Sequence, residues 1–187
     1  MGRGIVAEGG FPQTPQQTDE IDKRYAIWND IFLDGIDIHE RARQRCFYGP
    51  VLFVLDLSLL AQDFLSSVWV TKRNPQFWED GENAADRYFT SIPELQQAYK
   101  KTDFDFSIVL RSVGGSLRLK PLLKKIVLDA LPHTHLFNQA LGALKASART
   151  SGMTNIKIEP RMCVRTCQCQ KQYKVMTKSA IEKFVSP

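Results

Sequence analysis

The stretch DFSIVLRSVGGSLRLKPLLKKIVLDAL, residues 105–131, decides the fold class. Its first part, with Phe104 ahead of it, is a short apolar run rich in β-formers and reads as a strand over 104–113. Gly114–Gly115 is a turn signal. Leu117 and Leu119 then alternate with basic residues, and KKIVLD is a second apolar run. Strand follows strand here with no helix between them, unlike a strictly alternating βαβ chain.

The same grouping holds on both sides. GPVLFVLDL (49–57) reads as a buried strand with Pro50 at its start, where a missing N–H harms a ladder least. SVWVTK (67–72) is the next strand, and RNPQFW (73–78) turns away from it at Asn74–Pro75. SIPELQQAYKK (91–101) predicts a helix capped by Ser91, with Pro93 in the first turn. HLFNQALGALKASART (135–150) predicts a helix ended by Gly152, and NIKIEPRMCV (155–164) a last strand. Near the start, Ile21, Tyr25, Trp28 and Phe32 recur at helical spacing, which predicts one helix from Asp19 to Gly35. A short helix is expected after Thr177. Residues 1–20, rich in Gly, Pro, Gln and Thr, read as a flexible N-terminal segment, and 21–187 as a single domain. The expected class is α+β, with a mixed or antiparallel sheet and flanking helices.

With 43% apolar and 24% charged residues, the chain can build a sizeable core. Its net charge of +5 favours polyanionic partners such as nucleic acid or a nucleotide. No run reaches the roughly 18 apolar residues of a membrane span, and MGRGIVAEGG has no apolar core of a secretion signal. The expectation is a cytoplasmic protein with reduced thiols and no membrane partner.

Four stretches can carry chemistry. In IDIHERARQRC (36–46), Arg41, Arg43 and Arg45 alternate. In an extended loop they form a comb of guanidinium groups suited to phosphates; on a helix they spread into a solvated basic face. Cys163, Cys167 and Cys169, with distant Cys46, supply enough thiolates for a tetrahedral zinc site, but C-x3-C-x-C lacks the paired C-x2-C spacing, so no metal is assigned. His133 and His135 read as a turn at a helix start. Among the acids, Asp105 heads a strand, and Glu40, Glu94 and Glu159 are alternatives. Nucleophile-elbow, Walker, zincin and Rossmann patterns are missing, which argues against those enzyme classes.

Several of these segments, in this order, resemble the DarT-like toxins, ADP-ribosyltransferases that modify DNA bases using NAD. IDIHERARQR looks like that family's NAD-engaging arginine segment. VWVT followed by KRNPQFW is similar to its strand and Arg, Pro and aromatic turn, and DFSIVLR to the segment that begins with the catalytic glutamate. PRMCVR resembles the closing stretch. The resemblance implies an ADP-ribosyltransferase-like fold, NAD as donor, a base of (single-stranded) DNA as acceptor, and a possible antitoxin protein as partner. Arg41 would engage NAD, with Arg43, Tyr48 and Trp69 as further contacts, and Asp105 would take the catalytic acid position. The chain departs from the family in two places. No His and Thr strand precedes the arginine segment, and the acid is Asp105, about one methylene shorter than Glu. Those departures imply a shortened, inactive or divergent member. The alternative from the residues themselves is a non-enzymatic basic module that binds nucleic acid, with zinc at Cys46, Cys163, Cys167 and Cys169.

Overall fold

The computed structural model describes residues 5–6, 20–37, 50–56, 58, 68–99, 106–113, 117–120, 122–130, 133–162 and 171. In chain order the elements are β1 (Ile5–Val6), α1 (Glu20–Arg24), β2 (Ile31–Asp34), β3 (Val51–Leu55), β4 (Val68–Val70), α2 (Ala84–Arg87) and α3 (Ile92–Ala98). There follow β5 (Ser107–Leu110), β6 (Leu117–Arg118), β7 (Leu123–Asp129), α4 (Thr134–Thr150) and β8 (Lys157–Arg161). The class is mixed α+β, and the chain divides into two compact units, residues 1–37 with 57–119 and residues 38–56 with 120–187.

In the first unit, β5 is the middle of an antiparallel sheet ordered β2-β5-β4. Phe32, Val109 and Trp69 form one rung; Ile31, Leu110 and Val68 form the next, on the opposite face. Val109 and Leu110 are both fully buried, so this sheet is covered on both faces. Thr71 continues β4 and bridges to Tyr88, which brings the segment after α2 alongside the sheet. The Thr71 hydroxyl accepts the Ser107 N–H at 2.8 Å, so this buried threonine binds the start of β5 through its side chain as well as its backbone. Tyr25, Ile27, Trp78, Tyr88 and Val109 form the core against which Ile21, Phe32 and Trp69 pack. β1 and β6 make a separate parallel pair.

The second unit has sheet order β3-β7-β8, antiparallel for β3 with β7 and parallel for β7 with β8. The parallel pair is joined through α4, as a parallel connection requires a crossover. Ile126, Val127 and Leu128 are buried in succession, the mark of a central strand covered on both faces. Ala140 and Ala148 are the buried positions of α4. The helix ends where Gly152 adopts φ +70°; the Gly152 N–H donates to Arg149 and the Met153 N–H to Ala148, closing a Schellman turn.

One sequence expectation is overturned. The helix foreseen from Asp19 to Gly35 stops at Arg24, and Ile31–Asp34 is a strand. The apolar period survives only in its first half, where Ile21 and Tyr25 do pack together. Trp28 is instead 44% exposed. Ala26 turns the chain at φ 53°, and the β-branched and aromatic run that follows gains a four-residue ladder with β5. Ile5–Val6 also forms a strand where only loop chemistry was evident, while residues 7–19 and the helix expected after Thr177 lie outside the described residues.

Candidate functional site

The richest constellation grows from the end of the β2–β5 ladder. Ile31 pairs with Leu110, so the next residues outward, Asp30 and Arg111, face each other. Arg111 Nε lies 2.7 Å from Asp30 Oδ2, and the Asp30 side chain is only 2% exposed. The Ser112 N–H donates to Asp30 Oδ1 at 2.7 Å. Ser112 has φ 56°, sparsely populated for a residue with a Cβ, and this hydrogen bond helps to hold it there.

Arg111 is two residues beyond Val109, hence on the face that carries Trp69. Its guanidinium lies 5.1 Å from the ring centres of both Trp69 and Tyr88. These two rings meet edge-on at 5.0 Å and 90°. Tyr88 also meets Trp78 at 5.3 Å, and Trp78 meets Tyr25 at 5.3 Å, again edge-on. A second guanidinium, Arg87, lies 4.5 Å from Tyr25 and 5.2 Å from Trp78. Aromatic planes thus alternate with cations along the sheet face. The Tyr25 hydroxyl donates to the Trp78 carbonyl and Trp78 Nε1 to the Arg73 carbonyl at 3.1 Å, which fixes both rings. Glu82 pairs with Arg73 and, at 3.7 Å, with Arg87.

Burial pushes the Tyr88 phenol up to about 12, with the Arg111 and Arg87 charges opposing the rise. Tyr88 is therefore a neutral hydroxyl at physiological pH, buried beside the Arg111 guanidinium and with no acceptor for its O–H among the described residues. Nearby, Lys72 pairs with Glu94 at 2.6 Å, and the Thr90 N–H donates to the same carboxylate. The Lys72 hydrogen bond, then the Thr90 N–H, hold the Glu94 carboxyl down at about 2.

The second unit repeats the acid–base motif once. Asp129, buried at the end of β7, sits opposite Arg161 at the end of β8, with Nε to Oδ1 at 2.6 Å.

Arg41, Arg43, Tyr48, Asp105, Glu40 and the four cysteines lie outside the described residues. Trp69 is half-buried, with one ring face occupied by Arg111. Glu159 accepts from Lys125 at 2.7 Å and pairs with Lys157; these two hydrogen bonds hold its carboxyl at about 2, so it is an ionised surface group. His133 immediately precedes α4 and His135 lies in its first turn, both exposed. Among the described residues no group of three His, Cys, Asp or Glu side chains can hold a metal ion. Nor does any helix among them have the length and apolarity to cross a membrane.

Sequence reasoning passed over Asp30, Arg111 and Tyr88. A weak signal exists for the first two: an acid precedes IFLD and a base follows SIVL, so antiparallel pairing of the two runs in register brings them together. As a whole the cluster offers fixed guanidinium donors and aromatic planes. Such groups suit contact with anions and flat rings.

No protein-family model, no curated protein and no solved structure matches the chain.

Proposed function

We propose that the chain is an ADP-ribosyltransferase-like protein that takes NAD as donor and a nucleic-acid base, in single-stranded DNA, as acceptor. The observation that supports this reading is local. Two segments that carry the resemblance, VWVT with its KRNPQFW turn and the strand of DFSIVLR, are hydrogen-bonded neighbours in one antiparallel sheet, Trp69 opposite Val109. Arg41 would engage the pyrophosphate of NAD, with Arg43, Tyr48 and Trp69 as further contacts. Asp105, two residues ahead of β5, would face the cationic sugar that develops as nicotinamide leaves and would draw the proton from the attacking base nitrogen.

The test is thermal stabilisation by NAD. A ligand that binds only the folded chain stabilises it by about 2.7 kcal/mol at a hundredfold excess over Kd. A saturable rise in wild type that is lost in Arg41→Ala, followed by NAD-dependent mass on an oligonucleotide, is the expected result. No rise at millimolar NAD would remove the transferase reading.

One observation favours a second reading, a non-enzymatic basic module that binds nucleic acid. The described cluster pairs cations with aromatic planes and brings no acid–base machinery to them. That reading predicts oligonucleotide affinity falling steeply with salt, and zinc retained on Cys46, Cys163, Cys167 and Cys169.

A further inference from the structure

We propose that Arg111 is a phosphate-binding side chain, and that Tyr88 is its partner in holding a phosphate group of a nucleotide or a nucleic-acid strand. This does not depend on NAD turnover or on the 41–45 arginine segment. It stands on how Arg111 is held and on what is left over.

Arg111 is fixed from three sides. Its Nε is ion-paired with Asp30 at 2.7 Å, and its guanidinium is bracketed by the Trp69 and Tyr88 rings. An arginine that only neutralised Asp30 would gain most by turning its two-pronged edge to both carboxylate oxygens. Here the Ser112 N–H takes Oδ1, and Arg111 Nε lies 2.7 Å from Oδ2 without the alignment of a hydrogen bond, so the guanidinium is not spent on a two-pronged bond to Asp30. The side chain remains 27% exposed. What results is a flat, oriented fork of donors with its entropy already lost, the geometry that suits the oxygens of a phosphate.

Tyr88 supplies the second observation. Its hydroxyl is buried beside Arg111, itself a donor, and among the described residues finds no acceptor for its own O–H. Burial keeps the hydroxyl protonated, so it is a donor awaiting an acceptor. A phosphate seated on the Arg111 fork brings several acceptor oxygens to that place. Asp30 cancels one unit of charge, which sets the affinity of this single contact low and favours ligands with more than one phosphate.

Inorganic pyrophosphate is the first probe, titrated in 0.15 M NaCl and read by tryptophan fluorescence and by calorimetry. All three tryptophans lie at positions 28, 69 and 78, within the first unit. Saturable binding is expected. Arg111→Lys keeps a cation beside Asp30 but loses the fork, and should weaken binding about tenfold or more. Tyr88→Phe should weaken it by a few-fold while raising the melting temperature of the free protein, a pair of opposite effects that a purely structural tyrosine would not give. If Arg111→Lys does not fold, the neutral double variant Asp30→Asn with Arg111→Gln replaces it. Absence of saturable binding at 10 mM, or binding indifferent to Arg111 and lost in Arg41→Ala, overturns the proposal. ADP and a ten-nucleotide oligo(dT) then name the source of the phosphate. Tighter ADP binding indicates a nucleotide; tighter oligonucleotide binding with a steep salt slope indicates a nucleic-acid backbone.

Discussion

Removing Asp30 and Arg111 together should cost less than the two single removals add up to. Asp30 is almost wholly buried, and Arg111 reaches it at 2.7 Å. Taking the guanidinium from a buried carboxylate costs about 3–5 kcal/mol in closed interiors. Arg111 is 27% exposed, so water can partly replace it, and about 2–4 kcal/mol is the appropriate range for Arg111→Leu. Lost stacking on Trp69 and Tyr88 adds about 0.5–1 kcal/mol to that variant. Asp30→Asn leaves the hydrogen-bonding shape but removes the charge, and should cost about 1–3 kcal/mol. In the double variant neither buried charge remains, so its loss should fall short of the sum by about 1–3 kcal/mol. Urea denaturation followed by tryptophan emission suits the purpose, because every tryptophan lies in the first unit and the signal reports that unit. Additivity within about 0.5 kcal/mol would refute the reasoning, since it would mean that the two groups do not stabilise each other in solution.

The remaining expectations concern single groups. Tyr88→Phe removes a buried hydroxyl whose O–H has no acceptor among the described residues, and should stabilise the protein at neutral pH by about 1 kcal/mol. The Tyr88 phenol is raised in the fold, from 10.0 to about 12, so its contribution is full below pH 10 and lost as pH rises toward 12. Absorbance at 295 nm should show one tyrosine titrating last, absent from Tyr88→Phe; an unchanged titration curve would contradict the assignment. Glu94 is lowered, from 4.5 to about 2, so its contribution is present above pH 4.5 and lost as pH falls through about 2. Glu94→Gln should flatten the acid limb of stability in that window, and a wild-type slope in the variant would rule the Lys72 pair out as its source. A Cβ on Gly35 would stand 2.6 Å from the Tyr99 hydroxyl oxygen. Gly35→Ala should therefore push Tyr99 off Phe106, costing about 1 kcal/mol, and Tyr99→Phe in the same chain should recover most of it.

Much of the fold was legible where local chemistry decides alone. The Asn74–Pro75 turn closes because the Asn74 side chain accepts the Gln76 N–H and proline presets the next φ. Ser91 caps α3 by accepting the Glu94 N–H, and Gly152 ends α4 by taking a positive φ. The misread segment shows the limit. From Tyr25 to Asp34 the apolar residues fit a helical period and a strand alike, and the choice belongs to the four rungs that β5 offers, a partner 79 residues away at Ile31–Leu110. The cluster was illegible for the same reason. Tyr88, Trp78, Trp69, Tyr25, Arg87 and Arg111 come from five separate segments, and only register brings Arg111 over Trp69. What sequence alone shows is an excess of positive charge; it does not show which cations are spent on internal carboxylates, as Arg161 is on Asp129.

Both sheets carry the same device at their ends, and short strands explain why it is useful. β2 and β5 share four rungs, and β7 and β8 share five. So few rungs specify register weakly, since apolar residues such as Ile, Val and Leu exchange places at little cost. A charged pair does not tolerate the exchange. A slip of one residue at β5 would carry Arg111 to the opposite face and leave the Asp30 carboxylate buried without its guanidinium; the same slip at β8 would separate Arg161 from Asp129. Buried pairs of this kind contribute little net stability beside well-packed apolar residues, so their effect lies in the energy gap to the slipped alternatives. At Asp129 the pair stands at the strand end, with the Arg161 side chain 21% exposed. At Asp30 the same lock holds a guanidinium, 27% exposed, between two aromatic rings, and it is those rings that would turn a register device into a surface able to hold a ligand.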